Sequence, residues 1–172
     1  MTRIFDGELN VHYGQAYVFA SDNEWAGEFE ECFHGQANGL CGASISGMLF
    51  LITGLHTGHV GFVIDVLSMP PKLENTWDEI VEVSFIVGDG PVVVEDWNGE
   101  TVASIPLSPG SYRVRYCAKY MDKGHEIDTI LQDGEAVDFY SLAFWPDAVS
   151  EDCVIKQTSE QAAYWHDFAK KL

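Results

Sequence analysis

The sequence predicts a mainly β protein: an antiparallel β-sandwich of about nine strands, with a short inserted helix and a C-terminal helix. Three observations carry this. Apolar and polar residues alternate with period two over most of the chain. Turn signals punctuate it at intervals of roughly ten residues. The pattern changes to a helical period only near the C-terminus. A chain of 172 residues, 47% hydrophobic and 13% aromatic, suits one domain spanning 1–172 with a substantial core.

Leu9, Val11 and Tyr13 alternate with Asn10 and His12, and Gly14-Gln15 offers a turn into Ala16–Ala20, so an N-terminal hairpin is expected. Residues 21–44 form an acidic insertion. Ser21 or Asp22 is a suitable cap for a short helix over Glu24–Phe29, with Trp25, Phe29 and Cys32 inward. Gly35, Gly39 and Gly42 mark an irregular loop after it. Ile45–Thr53 and His59–Leu67 are nearly continuous apolar runs joined by five residues with Gly at both ends. They read as a central hairpin covered on both faces. Met69-Pro70-Pro71 stops the second run.

Trp77–Val87 alternates cleanly and ends at Gly88-Asp89-Gly90-Pro91. Val92–Trp97 and Thr101–Leu107 flank Asn98-Gly99, a strong hairpin signal. Ser108-Pro109-Gly110 leads into Tyr112–Tyr120, and Asp138–Trp145 is the last expected strand, closed by Pro146. Residues 158–171 read as a helix. Ser159 is its N-cap, Ala162, Ala163, Trp165, Phe168 and Ala169 supply one face, and Lys170-Lys171 complement the helix dipole.

The charge is extreme: 27 acids against 9 bases, formal net −18. No Lys or Arg occurs between Arg3 and Lys72, or between Lys72 and Arg113. Such a surplus disfavours nucleic acid and anionic lipid as partners and favours a basic protein or a cation. Its plainer meaning is solubility. The N-terminal segment lacks the pattern of a signal peptide, and polar residues and glycines break the apolar stretch 45–66, so neither export nor a membrane span is expected. A cytoplasmic location follows, with Cys32, Cys41, Cys117 and Cys153 reduced. If the protein were exported, Cys32 and Cys41 could bridge a loop.

Motifs of known chemistry are missing. There is no G-x-S-x-G, P-loop, GxGxxG or H-E-x-x-H. Cys32-x-His34 with Cys41, and His56-x-x-His59, match no closed zinc pattern, so no metal or other cofactor is expected. Glu95-Asp96-Trp97-Asn98-Gly99-Glu100 has calcium-ligand chemistry without EF-hand spacing. Trp77, Trp97 and Trp145 stand at strand ends, two of them beside acids, where aromatics anchor a core or meet a sugar or basic peptide.

Val11–Tyr17, Gly54–Gly61, Trp77–Phe85, Leu107–Arg115 and Phe144-Trp145-Pro146 together resemble the bacterial ComJ-like family. The resemblance covers about residues 9–20 and 45–147 and rests on turns and core strands. It implies a small non-enzymatic inhibitor: the family is linked to competence, and its named member inhibits a DNA-entry nuclease. Charge and resemblance converge on an acidic immunity protein that neutralises a basic toxin, most simply a nuclease, whose phosphate-binding groove carboxylates can fill. The expected partner surface is Asp22, Glu24, Glu28, Glu30 and Glu31 of the insertion, with Glu95, Asp96, Trp97 and Glu100 of the hairpin. A calcium- or carbohydrate-binding module is the alternative.

Overall fold

A computed structural model describes residues 1–20 and 28–172. The described residues form eleven strands in two sheets, with two α-helices. The strands are β1 (Thr2–Val11), β2 (Gln15–Ala20), β3 (Cys41–Gly42), β4 (Met48–Ile52), β5 (Gly58–Val66) and β6 (Glu79–Val87). They continue with β7 (Val92–Glu95), β8 (Thr101–Ile105), β9 (Gly110–Lys119), β10 (Phe139–Pro146) and β11 (Cys153–Lys156). Helix α1 is Met121–Ile127 and α2 is Glu160–Ala169. A six-stranded sheet runs β1-β5-β10-β9-β6-β11, and a five-stranded sheet runs β3-β4-β2-β7-β8. The architecture is sandwich-like and is not a closed barrel.

The alternation read from the sequence becomes burial. In β2, Ala16, Val18 and Ala20 are buried while Gln15, Tyr17 and Phe19 are half-buried. The core joins Leu9, Val60, Phe62, Val114 and Leu142 of one sheet to Val18, Leu49, Leu51 and Val94 of the other. Burying a side chain of this size fully contributes about 1.5–3 kcal/mol. Two tyrosines stand in this core with their hydroxyls satisfied. Tyr116 donates to the Ile52 carbonyl at 3.0 Å, and Tyr140 donates to Asp138 at 2.6 Å.

Three expectations are corrected. Residues 9–20 are not a hairpin: β1 pairs with β5 in one sheet, and β2 pairs with β4 and β7 in the other. Only a single bridge, His12 to Gln15, closes the turn between them. The 45–67 segment is not a hairpin either, because β4 and β5 belong to different sheets. The connection between them bonds outward instead of closing on itself. Thr53 N–H donates to Gly14, Gly54 N–H to the Tyr140 hydroxyl, Leu55 N–H to Asp138 and His56 N–H to the Asp128 carbonyl. Gly54 is obligatory there, since a Cβ would lie 2.1 Å from the Met121 carbonyl oxygen. The strands are also not all antiparallel, because β5 and β10 run parallel. The reading of both segments as central strands stands, as does the β7–β8 hairpin.

The helix expected over Glu24–Phe29 lies, apart from Glu28 and Phe29, outside the described residues. Phe29–Cys32 forms one 3₁₀ turn. The C-terminal helix is capped as expected, with Ser159 Oγ accepting from Ala162 N–H at 3.1 Å. Among the described residues, no helix is long and apolar enough to cross a membrane.

Candidate functional site

Most of the nine bases are engaged within the fold. Arg113 and Arg115 are buried on the outer side of the six-stranded sheet, where both hold Glu82, at 3.1 Å and 2.8 Å. The Arg115 guanidinium also lies 5.3 Å from the Trp145 ring centre. Arg3 pairs with Asp65 and Asp6, and these two carboxylates raise its pKa further. Lys156 donates to the carbonyls of Asn75 and Trp77. Several acids are structural as well. Buried Glu79 accepts from Thr158 and Ser159 N–H, Asp122 from Glu160 and Gln161 N–H, and Asp152 from Ala37 and Asn38 N–H. Glu79 ties the start of α2 to β6, Asp122 ties it to α1, and Asp152 holds the 36–41 loop to the connection between β10 and β11.

Four of the remaining acids share one face. Phe29 is seated among Phe33, Phe50, Trp165 and Phe168, with ring centres 5.0–5.7 Å away. That seat fixes the short turn and leaves Glu28, Glu30 and Glu31 exposed around it. Tyr17 is in register with Phe50 on one side and Glu95 on the other, so Glu95 shares the outer face of the five-stranded sheet with the Phe29 turn. None of Glu28, Glu30, Glu31, Glu95 and Glu100 makes an ion pair among the described residues.

The hairpin tip divides the expected residues. Glu100 and Trp97 are exposed, Trp97 by 40%. Asp96 is buried, and its Oδ1 accepts from Asn98 and Glu100 N–H at 2.9 and 3.0 Å. This is an Asx-type turn, so Asp96 is removed from the partner surface and from any calcium reading of the 95–100 segment. Asp22 and Glu24 lie outside the described residues. The structure thus brings Glu28, Glu30, Glu31 and Glu95 onto one face and places Trp97 and Glu100 at its end.

Sequence reasoning missed what surrounds Trp97. The His12 ring packs 4.4 Å from Trp97 and 4.2 Å from Tyr13, and the His56 ring is 5.1 Å from Tyr13. Thr57 Oγ1 lies 2.8 Å from Nδ1 of both histidines. With neutral rings, the single hydroxyl hydrogen goes to one and the other ring donates. Tyr13 and Gly14 both have positive φ, 54° and 63°, as a type I′ turn requires. Asn or Gly is usual at such positions. An aromatic residue that is 59% exposed there is a strained outlier. The signal was in the sequence: Tyr-Gly stands where Asn-Gly would be at ease.

Histidine and cysteine chemistry elsewhere is subdued. Burial, then Lys170, lowers the His166 pKa to about 4. All four cysteines are free thiols. Burial, foremost, pushes Cys32 and Cys117 up to about 12 and Cys41 higher still. Among the described residues, no group of three or more His, Cys, Asp or Glu could hold a metal ion.

Two sheets and two helices describe a mainly β protein of sandwich-like architecture. More particularly, the fold is ComJ-like. The chain is similar in structure to ComJ of Bacillus subtilis, inhibitor of the DNA degrading activity of NucA. The TM-score is 0.57 at 18% identity, over 85% of this chain and 98% of that one. It is also similar to the protein of crocagin biosynthetic gene J, with TM-score 0.51 at 14% identity, over 86% of this chain and all of that one. No protein-family profile matches the chain, and no curated protein matches it in sequence.

Proposed function

We propose that this protein is a non-catalytic cytoplasmic inhibitor, of the immunity type, that binds and neutralises a basic nuclease. The observation that carries the reading is the face formed by Glu28, Glu30, Glu31 and Glu95, which makes no ion pair among the described residues. A nuclease presents a basic groove to phosphates. A surface of unpaired carboxylates fits that groove, and long-range attraction speeds the encounter. The ComJ-like fold supports the class, since ComJ inhibits a nuclease. Trp97 and Glu100 border the contact. Asp22 and Glu24 extend it in sequence.

The test is direct. The proteins encoded by the genes flanking this one are purified, and DNA degradation by each is followed with increasing amounts of this protein. Loss of activity at an equimolar ratio, relieved by high salt, is expected. Undiminished degradation at a large excess would reject the reading.

A further inference from the structure

A pocket of about 370 Å³ opens beside the Tyr13 turn, between that turn, the 53–56 connection, the end of α1 and α2. Its walls include the rings of Tyr13, Tyr164 and Trp165, the imidazoles of His56 and His125, and one carboxylate, Asp128. Tyr13 lies in the turn between β1 and β2, and Tyr164 and Trp165 are neighbours on α2 with ring centres 5.1 Å apart. Tyr13 and Tyr164 are each 59% exposed. Asp128 Oδ2 accepts from Thr129 Oγ1 at 2.7 Å, and Oδ1 has no hydrogen-bond partner among the described residues.

The backbone here is held against its own preference. Among the described residues only Tyr13, Tyr120 and Asp128 are non-glycines with positive φ, and two of these three line the pocket. Asp128 has φ 65° and ψ −55°. Its carbonyl accepts from both His56 and Thr57 N–H at 3.0 Å, which fixes the conformation. Strain of this kind persists where surrounding structure over-determines it.

We infer that this pocket receives one arginine side chain of the basic partner. The identity of the partner rests on the inhibitor reading above, whereas the pocket's chemistry does not. A guanidinium is planar, stacks on aromatic faces and offers paired N–H groups to a carboxylate. The pocket supplies both kinds of contact, and the formal net charge of −18 disfavours an anionic occupant. Lysine fits less well: its ammonium is a compact, strongly hydrated charge with no plane to stack. Arginine and aromatic residues are the usual energetic anchors of protein interfaces, so a seated arginine here would complement the long-range pull of the acidic face.

The probe is the tripeptide acetyl-Gly-Arg-Gly-amide, titrated into the intact protein and followed by NMR. Its citrulline analogue is the uncharged control of the same shape. Saturable shifts at the Tyr13, Tyr164 and Trp165 rings are expected, with binding about tenfold weaker for citrulline, the loss of one charge-assisted pair. Asp128→Asn and Tyr164→Ala should each remove the preference for arginine. Tyr13→Asn suits the left-handed turn better, so it should raise the melting temperature while weakening the peptide. Equal binding of the two peptides, or shifts centred elsewhere, would overturn the assignment. The outcomes separate the two proposals. Nuclease inhibition without arginine binding leaves the function and removes the pocket. Arginine binding without nuclease inhibition does the reverse.

Discussion

Acid should loosen the C-terminal helix through one imidazole. His166 is 4% exposed, and its Nδ1 accepts from Gly39 N–H at 2.9 Å. The ring proton therefore sits on Nε2, which is buried without a partner among the described residues. The contact is close-packed: a Cβ on Gly39 would lie 1.9 Å from the Trp165 carbonyl oxygen. Protonating Nδ1 breaks the bond to Gly39 and buries a charge. Burial first, and Lys170 second, lower the pKa from 6.5 to about 4. A depressed folded-state pKa means that the unfolded chain binds the proton more readily. The contribution is therefore complete above about pH 6.5 and is lost as pH falls toward about 4. At 1.36 kcal/mol per unit, the lost stability is about 3 kcal/mol, or roughly 6–12 °C in Tm for a chain of this size.

Other groups titrate in the opposite sense. Burial raises the Asp138 pKa, so that carboxyl favours the folded state at lower pH. Relief of the surplus negative charge acts the same way. The measurement is therefore a difference. Wild type is compared with His166→Gln, which keeps an acceptor for Gly39 and does not titrate, by thermal melting from pH 7 to pH 4. The gap between the two curves should close or reverse toward acid by the amount above. Parallel curves would refute the reasoning.

Three further outcomes are expected. Glu82→Gln leaves Arg113 and Arg115 buried without their shared carboxylate, so it should cost about 3–5 kcal/mol in denaturant unfolding, whereas an exposed pair would cost under about 1. In the native protein Cys153 alone should react quickly with a thiol reagent, because Cys32, Cys41 and Cys117 are buried, and four thiols should react after denaturation. Joint reversal of Glu28, Glu30 and Glu31 to Lys should slow nuclease association and flatten its salt dependence without lowering Tm, while Glu160→Lys on α2 should change the association rate much less.

How far the sequence reached is clear from particular elements. Strand positions followed from alternation, because burial on a pleated sheet has period two, as in β2 and β6. Sheet membership did not follow. A two-residue turn such as Tyr13-Gly14 carries the same local signal whether its strands pair or part into opposite sheets. Only the outward bonding of 53–56 decides it. Helix α1 was missed because Gly124 is a poor helix former and Tyr120 enters through a left-handed conformation. Its stability is tertiary: a Cβ on Gly124 would lie 2.5 Å from Asp138 Oδ2. Strand β11 is four residues on a sheet edge, too short to show a period. Among the candidate site residues, the exposure of Glu28, Glu30 and Glu31 was readable from their charge, whereas Asp96 is buried in an Asx turn, which looks like a surface carboxylate in sequence. The aromatic pocket draws on positions 13, 56, 128 and 164, which nothing local connects.

The central claim is that the unpaired carboxylates of one face capture a basic nuclease. Its most direct measurement is the association rate with the nuclease it inhibits at low and high salt, for wild type and for the Glu28, Glu30 and Glu31 reversal. The account predicts fast capture of wild type that falls steeply with salt, and slow, nearly salt-independent capture of the variant. Identical rates and salt slopes for the two proteins would contradict it.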